Sequence, residues 1–394
     1  MDIAYLSQGK LYFKRGQGAA REIESEFGKS VQQRRLQIQQ RQVLRNRGIQ
    51  EMLGAAPQAD GQAAEAAAPV AIVSVCNAAE GKLLYALESD NLGGLFRFNP
   101  NDDREERLFH NADFRIGHLD YSRDRDLIAC TKTYPTGVTN LATLSPQSIR
   151  PLDITEGDST DLAPRWCPGK EKAIVYQSAG LGRNGQGYVT ERAPFKIEKL
   201  DFDKQEIATL AEDPKSDLLG PQMSADGWLY YIRRPYRAYQ NSFNPLTLIK
   251  ELFLIPVRLL YAIFQFFNRF SELFGGEPLI TAGAKRNVER DRLRTLGGWF
   301  SPEKLPKKHA GEADAPALVP PTWQLVRQAA QGVPEVMAES VLAYDLAPDG
   351  TVAYTNGSGV YLIQPDGSRD RVLVGRAIES VAIFQATNGA AADR

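Results

Sequence analysis

An all-β chain folded as a six-bladed β-propeller is what this sequence predicts, on three observations. A strand–turn–strand pattern recurs along it, each turn lying between an inner strand and a strand rich in aliphatic and aromatic residues. A third and a fourth short strand follow the clearest copies. The C-terminus supplies a strand that the N-terminus lacks.

The clearest copy is Ala343-Tyr344-Asp345-Leu346-Ala347-Pro348-Asp349-Gly350-Thr351-Val352-Ala353-Tyr354, in which Asp-Gly joins two alternating apolar runs as a hairpin turn does. Four other stretches align with it. They are Ile72–Cys76 with Glu80–Tyr85, Ile116–Ser122 with Asp126–Ala129, Leu162–Gly169 with Ala173–Tyr176, and Leu219–Gly227 with Trp228–Tyr231. Outer strands follow at Leu95–Phe98 and Glu106–Phe109, and again at Val360–Ile363 and Arg371–Val374. At the N-terminus, Ile3–Leu6, Lys10–Phe13 and Arg21–Ile23 read as second, third and fourth strands without a first. Val381–Phe384 is the missing first strand, so the two ends of the chain are expected to close the ring and leave no open sheet edge.

The turns Ala163-Pro164-Arg165-Trp166-Cys167-Pro168-Gly169 and Ala347-Pro348-Asp349-Gly350 resemble the Ser-Pro-Asp-Gly turns of TolB-like propeller repeats. The resemblance covers most of the chain outside two insertions and implies a fold rather than an activity. TolB is an exported protein. Met1-Asp2-Ile3-Ala4-Tyr5 has neither a basic n-region nor an apolar h-region, so a cytoplasmic protein, peripheral at the inner face of the membrane, is expected here. The chain is also similar to bacterial propeller proteins that accompany MoxR-type AAA+ ATPases and von Willebrand A proteins, which implies such proteins as partners.

Composition narrows the chemistry. The 394 residues are 43% hydrophobic and 24% charged, with a formal net charge of -1, so no global basic field recruits nucleic acid. Cys76, Cys130 and Cys167 are far apart and odd in number, which argues for reduced, buried thiols rather than disulfides or a zinc site. His110, His118 and His309 share no metal-ligand spacing. Gly180 to Gly187 spells a GxGxxG pattern but opens no helix, and reads as a mobile loop. Asp120, Asp124 and Asp126 lack EF-hand spacing and read as a solvated turn. No cofactor and no metal is expected, and the chain is read as non-enzymatic.

Two insertions break the repeat, dividing the chain into a propeller (1–24 and 70–394), a first insertion (25–69) and a second within the propeller (236–322). In the first, Gln32 to Leu53 reads as a helix capped by Ser25 or Ser30. Phe27, Val31, Ile38, Ile49 and Met52 form a broken apolar stripe, and Arg34, Arg35 and Arg41 lie among the basic residues around it. Ala55 to Pro69 reads as a flexible linker. In the second, Leu252 to Phe267 has Arg258 as its sole charge, and Leu252, Phe253, Ile255, Leu259, Leu260, Ile263, Phe264, Phe267 and Phe270 place apolar side chains around nearly every helical face. Pro256 and Arg258 leave no uninterrupted run near the ~20 residues a membrane span needs. A basic tract with Lys285, Arg286 and Arg290 follows.

Strand alternation sends both insertions, and the loop Ser178–Ala193, to one side of the disc. That side is expected to dock a protein partner, an anionic membrane surface or both. The competing expectation is a channel site, in a hydrolase or lactonase-type enzyme or a small-ligand binder, with His118, Asp120 and Asp345 as its inward-facing candidates.

Overall fold

The turn chemistry read in the sequence recurs as one backbone device. At Ala347–Gly350 the Gly350 N–H donates to the Ala347 carbonyl at 3.0 Å, and the Asp349 carboxylate accepts the Thr351 N–H at 3.0 Å. Gly350 sits at φ 87°, a region open to glycine at little cost. The turn ending at Gly367 repeats it, and the one ending at Gly227 repeats its backbone bond and positive φ, with Ser224 Oγ taking the Trp228 N–H. Each such turn reverses a strand onto its neighbour, and the chain builds antiparallel sheets from these reversals.

The computed structural model describes residues 1–52, 70–89, 92–148, 150–187, 189–236, 293–295, 298–300, 311–312, 314–330 and 332–384. Contacts divide the chain into two units. Met1–Arg35, Ala68–Tyr236 and Asp291–Arg394 form one, and Leu36–Ala67 with Arg237–Arg290 form the other. The sheets belong to the first. The described part of the second is a stretch of helix.

Four sheets have four strands each. Ala71–Asn77, Leu83–Ser89, Leu92–Asn99 and Arg104–Asn111 make one. Ser216–Met223, Leu229–Pro235, Gln324–Gln328 and Glu335–Glu339 make another. Ala343–Leu346, Val352–Thr355, Gly359–Ile363 and Arg369–Val374 make a third. In the fourth, Asp2–Ser7, Lys10–Lys14 and Ala20–Ile23 are joined by the C-terminal Ile378–Phe384, which runs antiparallel to Asp2–Ser7 with Ile3 opposite Ile383. A nine-stranded sheet holds two further sets, Arg115–Asp153 and Ser159–Ala211, linked by one parallel bridge between Thr139 and Thr160. The architecture is that of a β-propeller.

Apolar faces of successive sheets meet in discrete clusters. Leu11 and Phe13 pack with Tyr85, Phe96 and Phe384; Cys76 and Leu95 with Ile116, Ile128 and Cys130; Trp166 and Tyr176 with Ala129 and Leu141. Tyr230 and Ile232 pack with Tyr344 and Tyr354, and Val360 and Ala353 with Ile3, Tyr5 and Val381. Each fully buried large aliphatic or aromatic side chain is worth about 1.5–3 kcal/mol over its exposed state. The three cysteines are free and buried, Cys76 and Cys130 within one of these clusters and Cys167 beside Ala173 and Val175, as their positions in or beside strands lead one to expect.

Helix α1 spans Glu26–Met52, starting six residues before the predicted Gln32. The earlier start has a clear cause. The Ser25 hydroxyl accepts the Gly28 N–H at 3.1 Å, while the Glu105 carboxylate accepts the Ser25 hydroxyl and the N–H groups of Glu26 at 2.7 Å and Phe27 at 3.3 Å. A carboxylate at the positive end of the helix satisfies donors that have no partner in the first turn. The alternative cap, Ser30, donates instead to the Phe27 carbonyl. Phe27 packs on Phe96 and His110, with ring centroids 5.1 and 5.2 Å away. Gly28 allows close approach, since a Cβ there would meet Leu87 at 3.2 Å. Of the predicted apolar stripe, Phe27 packs on the sheet and Ile38 is 54% exposed, while the side chains of Ile49 and Met52 lie outside the described ones. Nor do basic residues occupy the last turn, since the helix runs on through Ile49, Gln50, Glu51 and Met52.

The stretch 178–193 departs from the expected loop. Ala173–Arg183 is one long strand, and Val189–Arg192 folds back on its far end, with Leu181 opposite Arg192. Gly180 and Gly182 carry no side chain, so the alternation that marks a strand is invisible there.

Replacing Glu105 with Ala should lower stability by about 1–2 kcal/mol, the cost of a lost helix cap. Urea denaturation should read the loss, and limited proteolysis should cut earlier in Glu26–Arg35 than in the parent.

Candidate functional site

The innermost strands carry an irregularity at one recurring position. Register slips between Ile72 and Ser74, Gly117 and Asp120, Leu162 and Arg165, and Leu219 and Gln222. In the last three, His118 (φ 47°), Ala163 (φ 52°) and Gly220 (φ 59°) lie in the left-handed region, which suits glycine and strains the other two. A bulge releases backbone N–H groups from the ladder, and each must find an acceptor elsewhere.

The acceptors come from the neighbouring sheet. Ser74 Oγ takes the Leu119 N–H at 2.9 Å, and Gln177 Oε1 takes the Gly220 N–H at 2.7 Å. Further along, Asp120 Oδ2 takes the Trp166 N–H at 2.7 Å, Gln222 Oε1 takes the Leu346 N–H at 3.0 Å, and Asp345 Oδ2 takes the Ile383 N–H at 2.8 Å. Tyr344 donates its hydroxyl to the Gly220 carbonyl at 2.6 Å. Each of these bonds ties one set of strands to another.

Cys76, Asp120, Arg165, Gln222, Asp345 and Ala382 come from six inner strands and line a cavity of about 440 Å³. The turn residues Ala78, Arg123, Ala347 and Pro348 also line it, so it opens at the ends carrying the first-to-second turns. Both insertions leave from the opposite strand ends, after Ile23 and Pro235.

Charge in the cavity is organised around Arg165. Its guanidinium lies 3.2 Å from Asp120 Oδ1 and 3.4 Å from Asp345 Oδ1. Burial opposes the arginine's charge, but Asp345 and Asp120 more than restore it, and its pKa rises. Burial raises the Asp345 carboxyl above its ordinary value against the pull of Arg165. Burial also pushes the Cys76 thiol well up, keeping it protonated and a poor nucleophile.

The expected channel residues fare differently. Asp120 and Asp345 are brought together. Asp120 is not the solvated turn carboxylate expected, because the turn begins after it and its side chain faces Arg165. His118 occupies the bulge, with Nδ1 3.1 Å from Thr131 Oγ1, and does not line the cavity. Among the described residues no group of three or more His, Cys, Asp or Glu is placed to hold a metal. Arg165, Gln222 and Ser74 were missed. Aligning the repeat copies by column would have shown Arg165 at the position of Asp120 and Asp345.

Of the predicted docking residues, Arg34 and Arg41 are exposed on α1, while Arg35 is half-buried and donates to Ser89. Leu36, 52% exposed, lies beside them. Leu252, Phe253, Ile255, Leu259, Leu260, Ile263, Phe264, Phe267, Phe270, Lys285, Arg286 and Arg290 lie outside the described residues, as does His309. Among the described residues no helix is long and apolar enough to cross a membrane.

No protein-family model matches this chain, and no curated protein matches it by sequence. Solved structures do. TolB from Acinetobacter baumannii is similar with a TM-score of 0.51 at 12% identity, over 97% of this chain and 66% of that one. This chain thus spans just under two thirds of that TolB's length. A protein assigned as TolB from Agrobacterium tumefaciens is similar at a TM-score of 0.41 and 15% identity, over 79% and 85% of the two chains. A nidogen/laminin complex gives 0.49 and 8%, over 98% of both. The likeness is one of fold, and the fold is a TolB-like β-propeller.

Replacing Arg165 with Met should destabilise the chain by about 3 kcal/mol, because two largely buried carboxylates lose their counter-ion. Adding Asp345→Asn to that variant should recover part of the loss. The single variant Asp345→Asn has its own signature. A carboxyl whose folded pKa exceeds its unfolded pKa holds its proton more tightly in the folded chain. Its cost is in force at neutral pH and relaxes as pH falls through the folded pKa. The parent should therefore gain stability relative to Asp345→Asn between neutrality and about pH 4, as measured by chemical denaturation across that range.

Proposed function

We propose that this chain is a closed six-bladed propeller acting as a non-catalytic platform, docking through the side that bears its insertions. The four four-stranded sheets, the two further sets within the nine-stranded sheet, and the pairing of Ile378–Phe384 with Asp2–Ser7 support the blade count and the closure. One observation carries the non-catalytic reading. Asp120, Asp345 and Gln222, the polar side chains best placed in the cavity, already hold Arg165 and the backbone of adjacent sheets. A general base or nucleophile must be free to exchange protons or bonds with a substrate, and these groups are engaged in holding blades together.

The docking reading rests on what leaves the opposite strand ends. Helix α1 is anchored by Ser25, Phe27 and Glu105, and beyond that anchor Arg34, Leu36, Ile38 and Arg41 are exposed. The second insertion, whose sequence holds the apolar stretch 252–270 and the basic tract around Lys285, Arg286 and Arg290, follows the strand that ends at Pro235 on that side. Such a side fits an anionic membrane surface, placing the protein at the inner face of the membrane in the cytoplasm. It also fits a protein partner, for which an AAA+ ATPase or a von Willebrand A protein is our first candidate. A second reading, small-ligand binding at the channel mouth, is favoured by the 440 Å³ cavity.

Flotation of the full chain with neutral and anionic liposomes tests the docking reading. The intact chain should float with anionic vesicles, and a variant lacking 243–274 should not. Failure of the intact chain to float would sink the membrane branch and send the search to AAA+ and von Willebrand A partners by pull-down.

A further inference from the structure

A second charged cluster lies where the apolar insertion leaves its sheet, and its balance is the reverse of that in the cavity. Asp217, with a side chain only 3% exposed, is shared by two arginines. Arg192 approaches end-on, with Nη1 3.1 Å from Oδ1 and Nη2 3.2 Å from Oδ2. Arg234 approaches Oδ2 through Nε at 3.1 Å and Nη2 at 3.0 Å. Asp217 Oδ1 also accepts the Phe195 N–H at 3.0 Å. One carboxylate thus faces two guanidiniums whose side chains are 22% and 12% exposed, a surplus of one positive charge in a largely desolvated place.

The cluster is walled by aromatics. Arg192 lies over Phe195 at 4.2 Å and Tyr236 at 5.5 Å, and Arg234 over Trp323 at 5.1 Å. The Tyr236 hydroxyl donates to the Arg192 carbonyl. Arg192 Nη1 also donates to the Ala193 carbonyl at 2.9 Å, and Arg234 Nη1 to Thr295 Oγ1 at 3.5 Å. With its Nη1–Nη2 end committed, Arg192 keeps its Nε–Nη2 side edge without an acceptor among the described residues. A planar side edge of this kind matches two oxygens of a tetrahedral oxyanion. Burial lowers the Arg234 pKa in spite of Asp217, and the Arg192 charge adds to the lowering, as expected where positive charge is under-compensated.

We propose that Arg192 and Arg234, preset by Asp217, form a binding site for a phosphoryl group, which docks on the free side edge of Arg192. A phosphoryl group supplies the missing negative charge and three acceptor oxygens, where a second carboxylate would supply two. The site stands apart from the docking reading: it is built from residues of the sheets and their hairpin, and it can bind whether or not the insertion meets a membrane. Its ligand is either soluble phosphate or the phosphate of an anionic lipid headgroup.

The full chain, titrated with inorganic phosphate at constant ionic strength against chloride, provides the test. Phosphate should raise Tm in a saturable manner. Arg192→Lys keeps the charge and loses the fork, and should weaken phosphate by about tenfold, the scale of one lost charge-assisted hydrogen bond. Asp217→Asn removes the internal anion, so it should lower Tm in chloride and respond more strongly to phosphate than the parent. Equal, non-saturating rises in all three chains, as an excluded salt produces, would overturn the proposal, as would an unresponsive Asp217→Asn. Phosphatidylglycerol vesicles then assign the source. Flotation lost in Arg192→Lys assigns a headgroup. Flotation unchanged in that variant, beside a weakened phosphate response, assigns soluble phosphate.

Discussion

The bulges in four of the inner strands set the terms for the rest of the structure. A bulge lets a strand twist sharply toward the axis of a ring, at the cost of backbone N–H groups that its own ladder no longer holds. Buried and unpaired, each would cost roughly 1–3 kcal/mol. Two of these donors find side-chain oxygens on another sheet, Ser74 for Leu119 and Gln177 for Gly220, and further along the inner strands Asp120, Gln222 and Asp345 take the N–H groups of Trp166, Leu346 and Ile383. The same bonds solve two problems. They satisfy the irregular backbone, and they fix each sheet against its neighbour where apolar packing alone would allow sliding.

Using carboxylates as acceptors brings a second constraint. Asp120 and Asp345 bring two negative charges into one largely desolvated cavity, and Arg165 between them makes this tolerable. The cluster at Asp217 inverts the arrangement, with two arginines around one carboxylate. The two clusters therefore have opposite balances, two carboxylates about one guanidinium in the first and two guanidiniums about one carboxylate in the second. A net charge of -1 for the whole chain conceals both.

Much of the architecture was legible because it is local. A glycine after Asp or Asn needs a turn, and alternating apolar residues need a half-buried strand, so the repeated units and the displaced C-terminal strand could be read directly. The site was legible only in part. Asp120 and Asp345 stood out as inward carboxylates, but Arg165 sits beside a proline and a tryptophan in a degenerate copy, and nothing local marks it as their counter-ion. His118 misled because a histidine on an inner strand suggests a channel residue, whereas its positive φ turns it to Thr131. The strand Ala173–Arg183 was hidden by Gly180 and Gly182, which bury nothing and so leave no periodic trace.

The sequence by itself determined the class of fold, the strand units, the turns between them and the points where insertions break the repeat, because each depends on residues within a few positions of one another. Only the tertiary structure decided which side chains serve chemistry and which serve assembly. Asp120 lies 45 residues from Arg165, and Asp345 lies 38 residues from Ile383. Whether such groups face a substrate, a backbone donor or an opposite charge is settled by which sheets stand side by side, and no local pattern carries that information.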